Sequence, residues 1–222
     1  MNRASAIAAG SGAIAFGVLF MAALFLTSPA GGNYSAQDIA AYIDPGHIFT
    51  AGAGWFLSLL SVTGLIALFA YLRQAAETAP GVNAMVPRLV WGLGLAGAAC
   101  FAVGWGMVIG QPIAHAEAMT TISVPPMVTY VIVELSSTML FGSAPMLVGL
   151  GMGAMALGSG ALLPGWLRWS TLAIGLLATT SLAYFTFYPL LLWSVVTGVW
   201  LLVTGGSAEP RGRPEFAASS EG

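Results

Sequence analysis

Long apolar runs alternate with short polar breaks along this chain, and the runs are too long for the helices of a soluble core. Residues 6–26, 48–72, 89–109 and 128–157 carry almost no charge, and each reaches the roughly 20 residues a helix needs to cross a bilayer core of about 30 Å. Pro145 falls inside the fourth run and should kink it, because proline removes an amide donor and its ring crowds the preceding turn. A cleaved signal peptide is the rival reading of the first run: Arg3 precedes it, and Ser28, Pro29 and Ala30 offer small residues to a peptidase. The run exceeds the roughly 7 to 15 apolar residues of a signal sequence, which favours a span.

The stretch from 166 to 204 suits either two short helices or one helix longer than a bilayer is thick. Charge separates the two readings. All six basic residues are arginines, namely Arg3, Arg73, Arg88, Arg168, Arg211 and Arg213, and basic residues concentrate on the cytoplasmic side. Two helices over 167–184 and 189–204 keep every arginine there, whereas a single helix would translocate Arg211 and Arg213. The expectation is therefore an all-α, polytopic transmembrane bundle of six spans with both termini cytoplasmic, in one domain over 1–204. Tyr71, Trp91, Trp166, Trp169 and Trp200 then fall near inner ends. Trp105, Tyr130, Tyr184, Tyr188 and Trp193 fall near outer ends, where aromatic belts meet the headgroups. The first two hairpins match in outline and the third lacks an outer loop; an ancient parallel repeat and shared membrane constraints both account for that likeness.

Composition supports the same class. Hydrophobic residues make up 58% of the chain and charged residues 6%, against about a quarter charged in soluble domains, so lipid must solvate most side chains. A net charge of -2 gives no sign of a nucleic-acid partner. The implied partner is the lipid bilayer, and the expected location is a bacterial cytoplasmic membrane. Cys100 is the single cysteine, which excludes an internal disulfide and a thiolate metal cluster. The tail over 205–222, rich in Gly, Pro, Ser and Ala with alternating charges, has the composition of a disordered end.

The first outer loop is the best-patterned polar segment. Ser35 stands three residues before Asp38, as in a capping box, and Ile39, Tyr42 and Ile43 follow on one face. A short helix lying on the outer membrane surface fits, with Asp44 and Pro45 initiating the turn that follows. Loop two, 110–127, carries His115 and Glu117 and has little helical character after Thr121. His47, His115, Asp44 and Glu117 all lie on the outer side and could in principle hold zinc, but no pair has the helical i, i+4 histidine spacing, so solvated loop side chains are the favoured reading.

Glu134 is the one ionisable residue within a span that cannot easily reach water. A carboxylate there costs a few kcal/mol, so it calls for a proton or for hydrogen-bond donors in the bundle interior. Tyr130, Ser137 and Thr138 share its face at i-4, i+3 and i+4. Ser58, Ser61, Thr63, Thr179, Thr180, Ser181, Ser194 and Thr197 are donors on other helices. Glycine is abundant at 29 residues; Gly106 with Gly110, and Gly149 with Gly153, have the G-x-x-x-G spacing that brings helix backbones together.

Several chemistries are excluded. The chain has no lysine, and with it neither a phosphate-binding P-loop nor a Schiff-base lysine. Both histidines lie in outer loops, and Gly142, Ser143, Ala144 and Pro145 do not form the G-x-S-x-G elbow of a serine hydrolase. No cofactor is implied.

Two segments carry a resemblance: SAQDIAAY at 35–42, ahead of the second span, and LIALFAYLR at 65–73, closing it. They resemble the outer surface helix and the span-two exit of a family of bacterial six-helix integral membrane proteins known only as a domain of unknown function. That resemblance implies the layout and no substrate or catalytic residue. Two functions stay open. The first is a non-enzymatic structural or accessory membrane subunit, forming a homo-oligomer or joining a partner membrane protein. The second is a small-solute or proton-linked transporter using Glu134, and an enzyme with an outer-loop metal is a distant third.

Overall fold

In the computed structural model, residues 3–27, 35–117, 125–158, 162–180 and 184–205 are described. They are almost entirely helical and include no strand. The helices are α1 (Arg3–Thr27), α2 (Ala36–Tyr42), α3 (Ile48–Thr78), α4 (Met85–Glu117), α5 (Pro126–Ser137), α6 (Ala144–Gly158), α7 (Gly165–Thr179) and α8 (Phe187–Thr204). A π-helical segment, Thr138–Ser143, joins α5 to α6. Five helices are long and apolar enough to cross a membrane: α1, α3, α4, the continuous Pro126–Gly158 and α8. This is the architecture of a membrane protein. Helix α7 has 15 residues, or roughly 22 Å at 1.5 Å per residue. The expected tail lies outside the described residues beyond Gly205, as do Arg211, Arg213, Ser181 and the segment with Ser28, Pro29 and Ala30.

Antiparallel neighbours form a ring in the order α8, α1, α3, α4, α6, α7, closing between α7 and α8. Glycine sets the spacing of three crossings, where the backbones of Gly12 and Gly64, Gly10 and Gly198, and Gly149 and Gly175 abut. Between helices in lipid there is no hydrophobic gain to drive association, so close packing of this kind must hold them. A buried hydrogen bond from Trp193 Nε1 to Thr171 Oγ1, 2.9 Å long, ties α8 to α7. Inside the ring, aromatic side chains from three helices meet. Phe20 of α1 lies 5.2 Å from Phe101 and 5.3 Å from Trp105, both of α4, and 5.9 Å from Phe187 of α8.

All four described arginines lie at one end of the ring. Arg3 begins α1, Arg73 lies near the end of α3, and Arg88 and Arg168 lie in the first turns of α4 and α7. Two of them brace hairpins. Arg73 donates to Glu77 at 2.7 Å and lies over the Trp91 ring, and Arg168 Nε donates to the Ala156 carbonyl at 2.7 Å, where the end of α6 offers carbonyls without helical partners.

Helix α2 lies at the opposite end. Its capping box is complete: Asp38 N–H donates to Ser35 Oγ, and Ser35 N–H donates back to Asp38 Oδ2. The Ser35 hydroxyl also donates to that carboxylate and, followed by the backbone bond, holds Asp38 below its ordinary value of 3.8. Because the folded-state value is depressed, the cap is intact at neutral pH and is lost only as pH falls through that value.

Two departures from the expected helices involve proline. Helix α4 runs to Glu117, through Pro112, so that His115 and Glu117 are helical rather than part of a loop starting at 110. Pro112 has no amide to donate to the Val108 carbonyl one turn earlier. Tyr42 of α2 replaces it, its hydroxyl donating to Val108 O at 2.6 Å, and Val108 is buried. Tyr42→Phe should therefore cost about 1–3 kcal/mol, the usual cost of an orphaned buried carbonyl. In the double variant with Pro112→Ala the restored amide should recover most of that loss. Unfolding titrations in detergent measure both, and equal losses in the single and double variants would refute the substitution of Tyr42 for the missing amide. At Pro145 the expected kink takes another form: the helix widens over Thr138–Ser143, and Ala144 N–H bonds Met139 O, five residues back. Such a bulge accommodates the proline and is common at functional sites.

Candidate functional site

The half of the molecule nearest α2 holds the residues of greatest chemical interest, and the third hairpin determines their exposure. Gly149 meets Gly175, so the end of α7 at Thr179 lies level with the start of α6. Helix α8 begins at Phe187, whose ring lies 4.8 Å from Phe141. The start of α8 is therefore level with Phe141, while α5 extends roughly 20 Å further to Pro126. In this upper part α5 is packed by α4, with additional contact from α2. One stripe of α5 is buried in consequence, comprising Thr129, Val133, Ser136 and, in the π segment, Leu140. Its other side is open: Met127 is 68% exposed, Val131 54% and Leu135 47%.

Glu134 lies on the border of these two sides and is half-buried. Tyr130 and Ser137, also half-buried, occupy the flank toward α4, and Thr138 is exposed. These residues share a flank as their spacing predicts, yet Thr138 Oγ1 donates to the backbone carbonyl of Glu134 at 2.9 Å, not to its carboxyl. The distant hydroxyls are committed elsewhere. Ser61 donates to Phe16 O across the α1–α3 crossing, while Ser58, Thr63, Thr179, Thr180 and Ser194 each donate to a carbonyl of their own helix. Thr197 is buried and makes no hydrogen bond within the described residues. The structure thus does not assemble these hydroxyls around Glu134.

Two aromatic residues expected in headgroup belts are instead interior. Trp105 is fully buried and Trp193 nearly so, because each shares the helix face that points into the ring. Trp166, Trp169 and Tyr188 are exposed, and Tyr71, Trp91, Tyr130 and Trp200 are half-buried; the Tyr184 side chain lies outside what is described. Among the described residues, buried polar atoms without a hydrogen-bond partner also occur toward the α2 end: Trp105 Nε1, His115 Nε2, Thr129 Oγ1 and Thr186 Oγ1.

Of the G-x-x-x-G pairs, Gly149 packs against Gly175, but Gly106, Gly110 and Gly153 have nothing within 4 Å of an added Cβ. The glycines of α4 that do pack lie on another face, Gly94 against Phe69, Gly97 against Val148 and Gly104 against Leu140. Asp44 caps its own turn by accepting from Gly46 N–H at 2.7 Å, and no group of three His, Cys, Asp or Glu residues comes together as a metal site among the described residues. Comparison with known proteins finds no matching family, no curated relative and no solved structure of similar fold.

Proposed function

We propose that the chain is a six-span protein of a bacterial cytoplasmic membrane, with both termini and the arginine end cytoplasmic and α2 on the outer surface. In this reading α7 is the fifth span, short because its hairpin turns before reaching the level of α2. Its molecular role is that of a non-enzymatic structural or accessory subunit, and the layout accords with the six-helix family that its first hairpin resembles.

The observation that carries this role is the aromatic cluster inside the ring. Phe20, Phe101, Trp105 and Phe187 interlock where a carrier would need a route through the ring, and Ser58, Ser61 and Ser194 there bond backbone carbonyls. Such packing holds helices together; it does not hydrate a solute or relay a proton. Proteoliposomes enclosing a pH-sensitive dye test the reading. Under an imposed pH gradient and a membrane potential, the wild-type protein and the Glu134→Gln variant should both leave proton flux at the protein-free rate. Flux that requires the protein and falls in Glu134→Gln would establish the proton-linked carrier instead.

A further inference from the structure

We infer that the open side of α5 is the docking surface for one transmembrane helix of a different membrane protein, a helix bearing a lysine or arginine at the depth of Glu134. This inference rests on the accessory-subunit reading and names the partner's chemistry. Met127, Val131, Glu134 and Thr138 recur at i, i+4, i+7 and i+11, the spacing of a helix-packing seam. Met127, Val131 and Thr138 are exposed, and Glu134 is half-buried at the seam's edge. The described ends of α7 and α8, Thr179 and Phe187, lie level with the start of α6 and with Phe141, well short of the exposed Met127 and Val131 of α5. Glu134 lies about 12 Å along α5 from its outer end, at 1.5 Å per residue. Within the described residues no ion pair or hydrogen bond engages its carboxyl.

Charge complementarity selects the occupant. An intramembrane acid is stabilised by a basic group on a neighbouring helix, and this chain has no lysine. Its described arginines, Arg3, Arg73, Arg88 and Arg168, all lie at the far end of the ring. A second copy inserted in the same orientation would present its described arginines at that same far end, and its histidines are too shallow, His47 preceding α3 and His115 in the last turn of α4. Among the described residues, then, no cation stands at the depth of Glu134, and in this proposal the complementary one comes from another protein.

The test uses the full-length protein in bilayers of neutral lipid with three dye-labelled peptides, each an apolar helix of about 20 residues. One carries a single lysine at the depth of Glu134, one carries leucine there, and one carries the lysine at the corresponding depth toward the arginine end. Energy transfer from labelled protein to peptide, followed against the peptide-to-lipid ratio, reports association. The first peptide should associate at a ratio about tenfold lower than the other two, the scale of one polar contact between membrane helices. Glu134→Asp should keep the preference and Glu134→Gln should abolish it. Equal association of the three peptides with wild-type protein would overturn the inference, as would a preference that survives Glu134→Gln or self-association of the protein that depends on Glu134. A negative result here leaves the accessory role standing, because the flux measurement tests that role separately.

Discussion

Gly64→Leu should destabilise the folded bundle by more than about 3 kcal/mol, beyond the usual range for an overpacked site. The obstacle is what makes the effect large. A Cβ on Gly64 would run into the carbonyl and Cα of Gly12, and a Cβ on Gly12 would lie 2.8 Å from the Gly64 carbonyl oxygen. Neither partner is a flexible side chain that could swing aside, so α1 and α3 must separate along their length. That separation would also strain the hydrogen bond from Ser61 to Phe16 O. Gly106→Leu and Gly110→Leu are the matched controls, since an added Cβ meets nothing at either position. Both should unfold within about 1 kcal/mol of wild type, glycine being a poor helix residue to begin with. Unfolding in mixed detergent micelles, followed by circular dichroism, ranks the three. Wild-type stability in Gly64→Leu, or equal losses at Gly106, would show that the α1–α3 crossing is not where close approach matters.

Phe20→Ala should cost about 3–5 kcal/mol, the range for deleting a fully buried aromatic ring. Phe20 touches rings on three helices: Phe16 on its own, Phe101 and Trp105 on α4, and Phe187 on α8. Removing it leaves an apolar void where α1, α4 and α8 meet, and edge-to-face pairs add about 0.5–1.5 kcal/mol each beyond area. Phe20→Leu should lose distinctly less. Because an apolar cavity of this kind takes up benzene or xenon, benzene should raise the stability of Phe20→Ala and leave wild type unchanged. Stability of the alanine variant within about 1 kcal/mol of wild type would mean that the ring interior collapses without cost.

What could be read from the chain, and what could not, follows from lipid as solvent. Span positions are legible because crossing hydrocarbon demands length and apolarity. The capping box of Ser35 and Asp38 was equally legible, because it depends on two residues three apart. Inward faces were not legible. A helix bathed in lipid is apolar all round, so nothing in the pattern says that Trp105 points into the ring or that Gly106 and Gly110 point out. Spacing alone cannot distinguish a G-x-x-x-G pair on the packed face from one on the open face. The proline effects were half legible. A disturbance at Pro145 could be foreseen, but its form as a π segment depends on how α4 and α8 pack beside it. The bond from Tyr42 to Val108 joins residues far apart in the chain, and its one local sign was a proline four residues beyond Val108. At the candidate site, Glu134 and its flank were visible as an acid among polar neighbours. Its place at the border of α5's open side depends on where the third hairpin stops, which is a matter of tertiary structure.

The packing of α1 against α8, the first and last of the described helices, has a consequence for biosynthesis. Helix α1 presents one glycine surface to α3 through Gly12 and another to α8 through Gly10 and Gly17. The ribosome completes α3 soon after α1 but α8 only after α4, α5, α6 and α7, so the second surface must wait through the making of those helices. A nascent chain arrested before Phe187 is an open horseshoe, with the groove of Gly10 and Gly17 still facing lipid or whatever factor attends the emerging protein.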